Sequence, residues 1–430
     1  MKNNNDENQW LGVIPNDWKL IKGKYLFKQR SEKGNNFELQ LLSPTQKYGI
    51  IPQSLYEKLS GFSAVKLDEK TDFNTLKTIH KGDYCISLRS FQGGLEYSEY
   101  EGVCSPAYQI FFPIVKLCTK YYKYLFKVQC FIDKINSFTL SLRDGKNIAF
   151  ADFASTYLPY PPLDIQEKIA DFLDKECSEI DALHTDIEKQ IETLEEYKKS
   201  IITEAVTKGL INININGTQV DFTNTTDEQW ECKKLKLLVA MPIIDGPHES
   251  PELCDTGIPY ISATAIVDGK IDFNLMRGYI SEEYCTECEK RYKPQLNDIL
   301  VVKLGAGTGQ VAMVDDNRKF NIWVPLAAVR CNELVIPKFI YYGFQSDYVV
   351  TQMEQSWTYG TQETLGVKTI EKLKFFIPTL NTQRKIIQYL DNKCVNIDGA
   401  IEEKKEQLET LEQYQKSLIY EYVTGKKEVK

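Results

Sequence analysis

The chain has 430 residues, of which 42% are hydrophobic and 26% are charged, so it is neither a disordered nor a collagen-like sequence. Its 52 basic and 60 acidic side chains give a net charge of −8, which taken alone argues against a nucleic-acid partner. No stretch approaches the roughly 20 apolar residues that cross a bilayer, the start lacks an apolar signal region, and the eleven cysteines are scattered. These features predict a cytoplasmic protein without membrane contact.

The charge is distributed unevenly along the chain. Residues 19–160 carry 20 basic and 13 acidic side chains, a net charge of +7, whereas residues 210–377 carry 16 and 22, a net charge of −6. Phosphate binding depends on the local potential, because salt screens charges beyond about 10 Å. The first segment is therefore a candidate polyanion-binding domain, and the charge of the second segment gives no such indication.

An internal repeat organises the sequence. Residues 161–207 and 378–424 align without a gap and are identical at 22 of 47 positions. The block QIETLEEYKKSIITEAVT in the first copy corresponds to QLETLEQYQKSLIYEYVT in the second. A period this long excludes a solenoid and indicates that one unit has been duplicated.

Each copy of the repeat predicts one long helix, because apolar residues recur at steps of three and four over about 42 residues. Pro161 and Pro162 prevent an earlier start, and Gly209 stands where a C-terminal cap is expected. So narrow a stripe requires a helical partner, which the duplicate supplies, although Lys404 interrupts the second stripe. The residues predicted to pack between the helices are Ile169, Leu173, Cys177, Ile180, Leu183, Ile187, Ile191, Leu194, Ile201, Ile386, Leu390, Cys394, Ile397, Ile401, Leu408, Leu411 and Leu418.

The segment before each helix shows mixed strand and turn signals, and landmarks correspond between the two. Trp18 and Trp230 each follow a polar turn, and GDYCIS at 82–87 corresponds to NDILVV at 297–302. The fold class is therefore α+β, with two globular mixed domains, two long helices forming an antiparallel coiled coil, and an internal pseudo-twofold repeat. The predicted boundaries are 1–160 for the first globular domain, 161–209 for the central helix, 210–229 for a linker, 230–377 for the second domain and 378–430 for the C-terminal helix.

No pattern of catalytic residues is found. The sequence has no phosphate-binding GxxxxGK[ST] loop, and its three histidines leave little for acid–base chemistry. Cys285 and Cys288 form one CxxC pair, which favours unpaired thiols over a zinc site because structural zinc sites usually combine two such pairs. The glycine-rich segment 305–309 predicts a turn between strands, since it lacks the helix and the acidic residue of a dinucleotide site. We therefore predict no catalytic residue and no metal site.

This arrangement resembles the specificity subunit of type I restriction–modification systems. PPLDIQEKIADFLDKECSEID with LEEYKKSIITEAVTKG, and IPTLNTQRKIIQYLDNKCVNID with LEQYQKSLIYEYVTG, are similar to the central and C-terminal regions of that family. GDYCISLRSFQGGLEYSEYEGVCSPAY resembles one type of its target-recognition domain, and IPNDWKL fits its opening. Thr382 and Gln383 stand where the family usually has Glu-Gln, and the second domain is acidic.

The resemblance implies a function for each part of the chain. Each globular domain would be a target-recognition domain for one half of a bipartite double-stranded DNA site, and the helices would set the spacer between the halves. The helices would also dock methyltransferase subunits, and motor-nuclease subunits would join the complex. The chain itself would bind no cofactor, because partner subunits would bind S-adenosylmethionine, ATP and Mg.

Loops with side chains suited to base edges and phosphates are the candidate DNA contacts. Arginine matches guanine, glutamine matches adenine, and lysine and arginine match phosphates. In the first domain the candidates are Gln46, Lys47, Tyr48, Arg89, Ser90, Phe91, Gln92, Arg143 and Lys146. In the second domain they are Lys303, Thr308, Gln310, Trp357, Tyr359, Thr361 and Gln362.

Two other classes of function remain as alternatives. A structural adaptor that scaffolds protein partners through its coiled coil would explain the stripe, although it would not explain two divergent domains with matching landmarks. A solitary enzyme with an unrecognised site is disfavoured by the shortage of histidines and the absence of catalytic patterns. A DNA-recognition subunit without catalytic activity explains most of these features.

Overall fold

Two compact units make up the computed structural model, which describes residues 10–33, 39–61, 75–86, 95–138, 148–209, 213–215, 218–220, 230–305, 307–359 and 363–429. The first unit comprises Met1–Ile187 and Glu406–Lys430, and the second comprises Glu188–Lys405. Each unit therefore combines one globular part with segments of both long helices. Within the described ranges, no helix is long and apolar enough to cross a membrane.

The first globular part consists of short strands and short helices. Its strands are β1 (Lys19–Lys22), β2 (Phe27–Gln29), β3 (Leu42–Thr45), β4 (Gly49–Pro52), β5 (Lys77–Ile79), β6 (Tyr84–Ile86), β7 (Leu95–Tyr97), β8 (Gly102–Cys104), β9 (Gln109–Pro113) and β10 (Tyr157–Tyr160). Its helices are α1 (Gly23–Leu26), α2 (Gln53–Ser60), α3 (Thr119–Leu125), α4 (Gln129–Asn136) and α5 (Phe150–Ser155). The long helix α6 (Leu163–Lys208) follows, and then the short hairpin β11 (Ile213–Ile215) and β12 (Thr218–Val220).

The second globular part is built in the same way. Its strands are β13 (Glu231–Lys234), β14 (Ile244–Asp245), β15 (Ile258–Ile261), β16 (Ile266–Val267), β17 (Lys270–Ile271), β18 (Gly278–Ile280), β19 (Ile299–Val302), β20 (Val311–Met313), β21 (Asn321–Ile322), β22 (Leu326–Val329), β23 (Thr358–Tyr359), β24 (Glu363–Thr364) and β25 (Lys374–Ile377). Its helices are α7 (Glu282–Glu289), α8 (Pro337–Gln345), α9 (Asp347–Glu354) and α10 (Val367–Ile370), and the long helix α11 (Leu380–Val423) follows.

The central sheets of the two globular parts have the same topology. The strand order is β2-β9-β6-β7 in the first and β14-β22-β19-β20 in the second, and all neighbours are antiparallel. In both parts the first strand also pairs with the last, β1 with β10 and β13 with β25, directly before the long helix. The landmark correspondence in the sequence thus reflects a repeated fold.

A turn with an aspartate precedes the central strand of each sheet. Gly82 and Asn297 adopt positive φ angles of 91° and 70°, which glycine and asparagine tolerate best. The following aspartates are buried, and each accepts two hydrogen bonds from one arginine. Asp83 accepts from Arg30 at 2.7 and 2.9 Å, and Asp298 accepts from Arg330, directly after β22, at 2.8 and 2.7 Å. These bidentate pairs fix the start of β6 and of β19.

The core of the first globular part is rich in aromatic side chains. Phe27, Tyr84, Phe111, Phe126 and Phe153 are almost completely buried. Their rings contact one another mostly edge-on or tilted, with one stacked pair, and the centroids lie 4.6–6.2 Å apart. Such geometry adds about 0.5–1.5 kcal/mol per pair to the burial of the rings. The sheet that carries the predicted loops therefore rests on a rigid base.

One glutamine at the start of each long helix ties that helix to its globular part. The side-chain oxygen of Gln166 accepts from the backbone N–H of Cys118 at 2.9 Å, and that of Gln383 accepts from Ile336 at 2.8 Å. Both glutamines are completely buried, and each also donates to the carbonyl of the proline five residues earlier. Gln166 and Gln383 are identical in the repeat because each must satisfy these backbone groups.

A tyrosine–aspartate contact, also repeated, fixes the next turns of the helices. Tyr124 donates to Asp174 at 2.7 Å, and Tyr342 donates to Asp391 at 2.6 Å. Burial raises the pKa of both tyrosines, and the hydrogen bonds to the carboxylates raise it further. The repeat thus preserves the side chains that orient each helix on its globular part.

Within each unit the two long helices run antiparallel, as the sequence predicts. In the first unit the side-chain amide of Gln415 donates to Asp181 at 2.9 Å, and in the second unit Lys198 contacts Asp398 at 2.6 Å. Asp181 and Asp398 are equivalent in the repeat, as are Lys198 and Gln415. The same contact therefore occurs once in each unit with the roles of the helices exchanged, as a pseudo-twofold repeat requires.

The apolar stripe departs from the prediction at one position. The buried and half-buried positions of α6 from Cys177 to Ile201 are 177, 180, 184, 187, 191, 194, 198 and 201, which alternate strictly between steps of three and four. Leu183, predicted to pack between the helices, is 54% exposed, and the half-buried His184 occupies that position. The alternation keeps side chains facing the partner, and it outweighs the apolar character of Leu183. Lys404 is half-buried in the equivalent stripe of α11.

Glycines end both helices against a tryptophan. Gly209 and Gly425 adopt φ angles of 82° and 71°, the left-handed conformation of a C-terminal cap. A side chain at Gly209 would meet the ring of Trp230 at 3.2 Å, and one at Gly425 would meet the ring of Trp18 at 3.1 Å. The end of each long helix therefore packs against the first landmark of the globular part in the same unit.

We predict that Ile180→Ala lowers the free energy of unfolding by about 2–4 kcal/mol, because Ile180 is 6% exposed and its loss leaves a cavity. Leu183→Ala, three residues away on the same helix, is the matched control and should cost less than about 1 kcal/mol. Urea denaturation of the full chain followed by circular dichroism measures both. Equal losses for the two variants would contradict the stripe described above.

A buried carboxyl group makes stability depend on pH. Glu96 in β7 is 1% exposed, Lys127 contacts one of its oxygens at 2.6 Å, and the other has no hydrogen-bond partner among the described residues. Burial raises the pKa of Glu96 to about 7 from its ordinary value of 4.5, although Lys127 opposes the shift. Between pH 4.5 and about 7 the folded chain therefore retains a proton that the unfolded chain has lost.

The free energy of unfolding should consequently fall as the pH rises from about 4.5 to 7, and Glu96→Gln should flatten that dependence. Urea denaturation at a series of pH values tests this, with Glu99→Gln as a control at a side chain that is 54% exposed. An unchanged pH dependence in Glu96→Gln would show that Glu96 does not titrate in this interval.

Candidate nucleic-acid interface

Equivalent loops leave equivalent strands in the two globular parts. Residues 87–94 connect β6 to β7, and residues 303–310 connect β19 to β20. Likewise, residues 139–147 lie between α4 and α5, and residues 360–362 lie between α9 and α10. Most of the candidate contact residues chosen from the sequence therefore fall on two pairs of segments at corresponding places in the chain.

In the first part, the described residues that flank the two candidate segments lie close together. Gln109 of β9 pairs with Ile86, the last residue of β6, and its side-chain amide donates to the carbonyl of Ile148 at 2.9 Å. Ile86 and Ile148 are the neighbours of the two loops. The predicted contacts on the loops themselves lie outside the described residues and stay predictions: Arg89, Ser90, Phe91, Gln92, Arg143 and Lys146.

The third candidate segment of this part is the tip of a hairpin. Gln46, Lys47 and Tyr48 form the turn between β3 and β4, and the first two are exposed. The side chain of Thr45 accepts from the backbone N–H of Tyr48 at 3.1 Å and closes the turn. The ammonium of Lys47 lies 5.4 Å from the centroid of the Tyr48 ring, so a cation and an aromatic face are presented together. Such a pair suits a phosphate or an exposed base.

In the second part the glycine-rich segment is a turn between antiparallel strands, as predicted, and it adjoins the other candidate loop. Leu304 forms a bridge with Thr364, and the backbone N–H of Leu365 donates to Lys303 at 2.8 Å. Gly305 and Gly309 have φ angles of 95° and 94°, which L side chains rarely adopt. The residues that follow segment 360–362 therefore lie beside the start of the glycine-rich turn.

Lys303 does not present its ammonium at this surface. Its side chain is 8% exposed and its Nζ lies 2.6 Å from Oδ2 of Asp245. Burial alone would raise the pKa of Asp245, but the hydrogen bond and charge of Lys303, with the charge of Arg291, lower it. The ammonium of Lys303 already neutralises a buried carboxylate in this position, and the DNA contact predicted for it stays a prediction.

The remaining candidates of the second part differ in accessibility. Gln310 is exposed at the end of the turn, whereas the hydroxyl of Thr308 is buried and donates to the carbonyl of Gly305 at 2.7 Å. Trp357 is half-buried against the apolar core of this part. Tyr359 belongs to β23, and Thr361 and Gln362 lie outside the described residues. Among these residues Gln310 is the one whose described side chain is exposed.

A cluster of charges around Asp245 escaped the sequence analysis. Arg291 Nη2 lies 2.7 Å from Oδ1 of Asp245, and His248 Nε2 lies 3.2 Å from Oδ2. These residues are 46 and three positions away in the chain, and only the pairing of β14 with β22 brings Asp245 next to Lys303. No spacing in the sequence signals such a cluster.

The thiols and carboxylates form no metal centre in the part of the chain that the structure describes. No group of three or more histidine, cysteine, aspartate or glutamate side chains there is arranged to hold a metal ion. Cys285 and Cys288 are buried in α7, and burial raises the pKa of both thiols. They pack as neutral groups.

Comparisons with known proteins identify the repeated globular parts. The family described as the type I restriction modification DNA specificity domain matches residues 15–193 and again residues 228–413. The type I restriction enzyme EcoBI specificity subunit of Escherichia coli is 25% identical over 277 residues, which cover 63% of this chain and 58% of that subunit. The MjaVIII specificity subunit of Methanocaldococcus jannaschii is 24% identical over 303 residues, 68% of each chain.

A solved structure agrees with the fold. A chain from a study of complex assembly and conformational transition of the type I R-M system covers 96% of this chain and 98% of its own, with a TM-score of 0.65 and 14% identity. At that identity the likeness concerns the fold alone. Since the family matches twice and over most of the sequence, the chain belongs to the type I restriction–modification specificity subunits and contains two of their DNA specificity domains.

Proposed function

We propose that this chain reads a bipartite double-stranded DNA target, with each globular part recognising one half-site and the long helices setting the spacer. The observation that carries the proposal is the duplication of the sheet and of its two loops in parts whose sequences differ. Two globular parts with the same sheet topology but different sequences are suited to recognising two different DNA sequences. A single binding surface would give no reason for the second copy.

The helices are proposed to dock methyltransferase subunits. In α6 and α11 the repeat preserves exposed side chains, which packing does not require; they are Gln190, Glu192, Thr193, Glu195, Tyr197, Lys199 and Ser200, with the same residues at 407, 409, 410, 412, 414, 416 and 417. Tyr197 and Tyr414 are 50% and 52% exposed. Surface tyrosines are frequent anchors of protein interfaces. Identical exposed surfaces beside divergent globular parts suit one kind of partner bound twice.

The catalytic chemistry is assigned to those partners. We propose that the chain is not an enzyme and binds no cofactor, that methyltransferase subunits bring S-adenosylmethionine, and that motor-nuclease subunits bring ATP and Mg. A cytoplasmic location follows from this proposal. The purified chain alone should therefore transfer no methyl group to DNA, and activity should require the assembled complex.

Loss of recognition in one globular part should relax one half-site only. Replacing Arg89 and Gln92 with alanine removes two candidate base contacts, each worth about 1–3 kcal/mol of discrimination. Gln310→Ala should act on the other half-site. Lys47→Ala should instead weaken binding to every sequence, because a phosphate contact carries no sequence information.

Sequencing of methylated sites after co-expression of each variant with its methyltransferase subunits measures these effects. The proposal expects the altered base positions to lie in one half of the site for the double variant and in the other half for Gln310→Ala. Changes spread over both halves would contradict the assignment of one half-site to each globular part.

Removal of one exposed tyrosine should remove one docked partner. Tyr197→Ala and Tyr414→Ala should each reduce the methyltransferase copies in the complex from two to one, and the double variant should bind none. Native mass spectrometry counts the copies, and Leu183→Ala, which alters a side chain that is 54% exposed but not identical in the repeat, is the control. Unchanged stoichiometry in the double variant would place the docking surface elsewhere.

The adaptor alternative makes a different prediction. An adaptor would assemble its partners and leave DNA methylation without sequence preference, or would show no methylation at all. A complex that contains methyltransferase subunits but methylates no defined site would favour this alternative.

A further inference from the structure

The charges around Asp245 do not balance. This single carboxylate, on a side chain that is 10% exposed, contacts Lys303 at 2.6 Å, Arg291 at 2.7 Å and His248 at 3.2 Å. Lys303 is buried and is sufficient to neutralise the carboxylate. Arg291 therefore adds a positive charge that the cluster does not need for its own stability, in a part of the chain whose net charge is −6.

The surplus charge faces solvent. The side chains of Arg291 and His248 are 53% and 71% exposed, whereas that of Lys303 is 8% exposed. Asp245 holds Arg291 through Nη2 alone, so the other guanidinium N–H groups point away from this carboxylate. A buried carboxylate thus orients an exposed guanidinium, which lowers the entropy that Arg291 would lose on binding a ligand.

A stacked arginine holds the turn that carries His248. The guanidinium carbon of Arg277 lies 3.2 Å from the centroid of the Trp323 ring, and Arg277 Nη2 donates to the hydroxyl of Ser250 at 3.5 Å. The indole N–H of Trp323 donates to the carbonyl of Glu249 at 3.2 Å. These contacts pin residues 248–250 to the stack, so Arg277 is a positioning residue.

Close packing also fixes the start of this turn. A side chain at Gly246 would lie 2.3 Å from the carbonyl oxygen of Ile322, so only glycine allows the approach. In this group of residues Lys303, Arg291 and Arg277 stand against the carboxylates of Asp245 and Glu249. The group therefore carries one net positive charge within an acidic globular part.

We propose that Arg291 and His248 form a phosphate-contacting patch by which the second globular part holds the DNA backbone. The proposal rests on the proposed DNA recognition and deepens it. The patch adjoins the loop at 303–310 through Lys303, so a duplex held there would lie beside Gln310. Because Asp245 already occupies one arm of the Arg291 guanidinium, a phosphate oxygen suits it better than the paired acceptors of a guanine edge.

The test compares Arg291→Gln with Lys290→Gln in the complex of the full chain and its methyltransferase subunits. Lys290 is the matched control, since it precedes Arg291, is 68% exposed and also pairs with a carboxylate, that of Glu287. The probe is a labelled random-sequence DNA duplex, and its dissociation constant is measured over a series of NaCl concentrations. Arg291→Lys, which keeps the charge, is the conservative variant.

Arg291→Gln should weaken binding several-fold and lower the slope of log K against log salt by about 1, while Lys290→Gln stays within twofold of the unmodified complex. Arg291→Lys should retain most of the slope. Thermal unfolding and native mass spectrometry establish that each variant is folded and assembled.

Equal slopes for Arg291→Gln and Lys290→Gln in folded, assembled complexes would overturn the patch. A loss of methyltransferase subunits from Arg291→Gln would overturn it as well, since the residue would then bind a protein. If the slopes of Arg291→Gln and Lys290→Gln were equal but Lys47→Ala still weakened binding, the proposed DNA recognition would stand without the patch. If the unmodified complex bound no duplex, the proposed function itself would fail.

Discussion

The antiparallel contact between the two long helices is the constraint on which the rest of the structure depends. Each helix carries a narrow stripe of mainly apolar side chains that it cannot bury by itself. In each unit a segment of the other helix covers this stripe. Because the helices are duplicates, the contact of Gln415 with Asp181 in one unit has an equivalent in the other unit, the contact of Lys198 with Asp398. Polar groups within such a stripe cost stability but specify register, so a slipped pairing would separate these partners.

Side-chain contacts anchor each long helix to the globular part before it, which explains how these parts diverged in sequence without losing their orientation on the helix. A buried glutamine at each helix start satisfies backbone groups of its globular part, and a tyrosine–aspartate hydrogen bond holds the helix about two turns later. These contacts lie in the framework at the start of each long helix. Residues outside that framework are therefore free to change in sequence and charge, which accounts for a basic first part and an acidic second part on one framework.

Local sequence patterns predicted most of the fold, because helices and turns depend on residues close in sequence. The repeat, the stripe and the capping glycine Gly209 predicted the helices and their ends, and the one error, Leu183, arose from preferring an apolar residue to strict alternation. The site was harder to predict. Lys303 reads as an exposed cation next to a glycine-rich turn, but strand pairing places it on Asp245, 58 residues earlier. Such contacts depend on tertiary structure, as does the exposure of Arg291, so no spacing in the sequence indicates them.

Transplantation of one globular part tests whether each part reads its own half-site while the long helices set the spacer. Residues 19–160 would be replaced by the corresponding segment of the Escherichia coli relative, with both long helices retained, and methylated sites would be sequenced after co-expression with the methyltransferase subunits. If each globular part reads one half-site, one half of the recognised site changes while the other half and the spacer remain. Methylation in which both halves change, from a complex that still assembles, would contradict it.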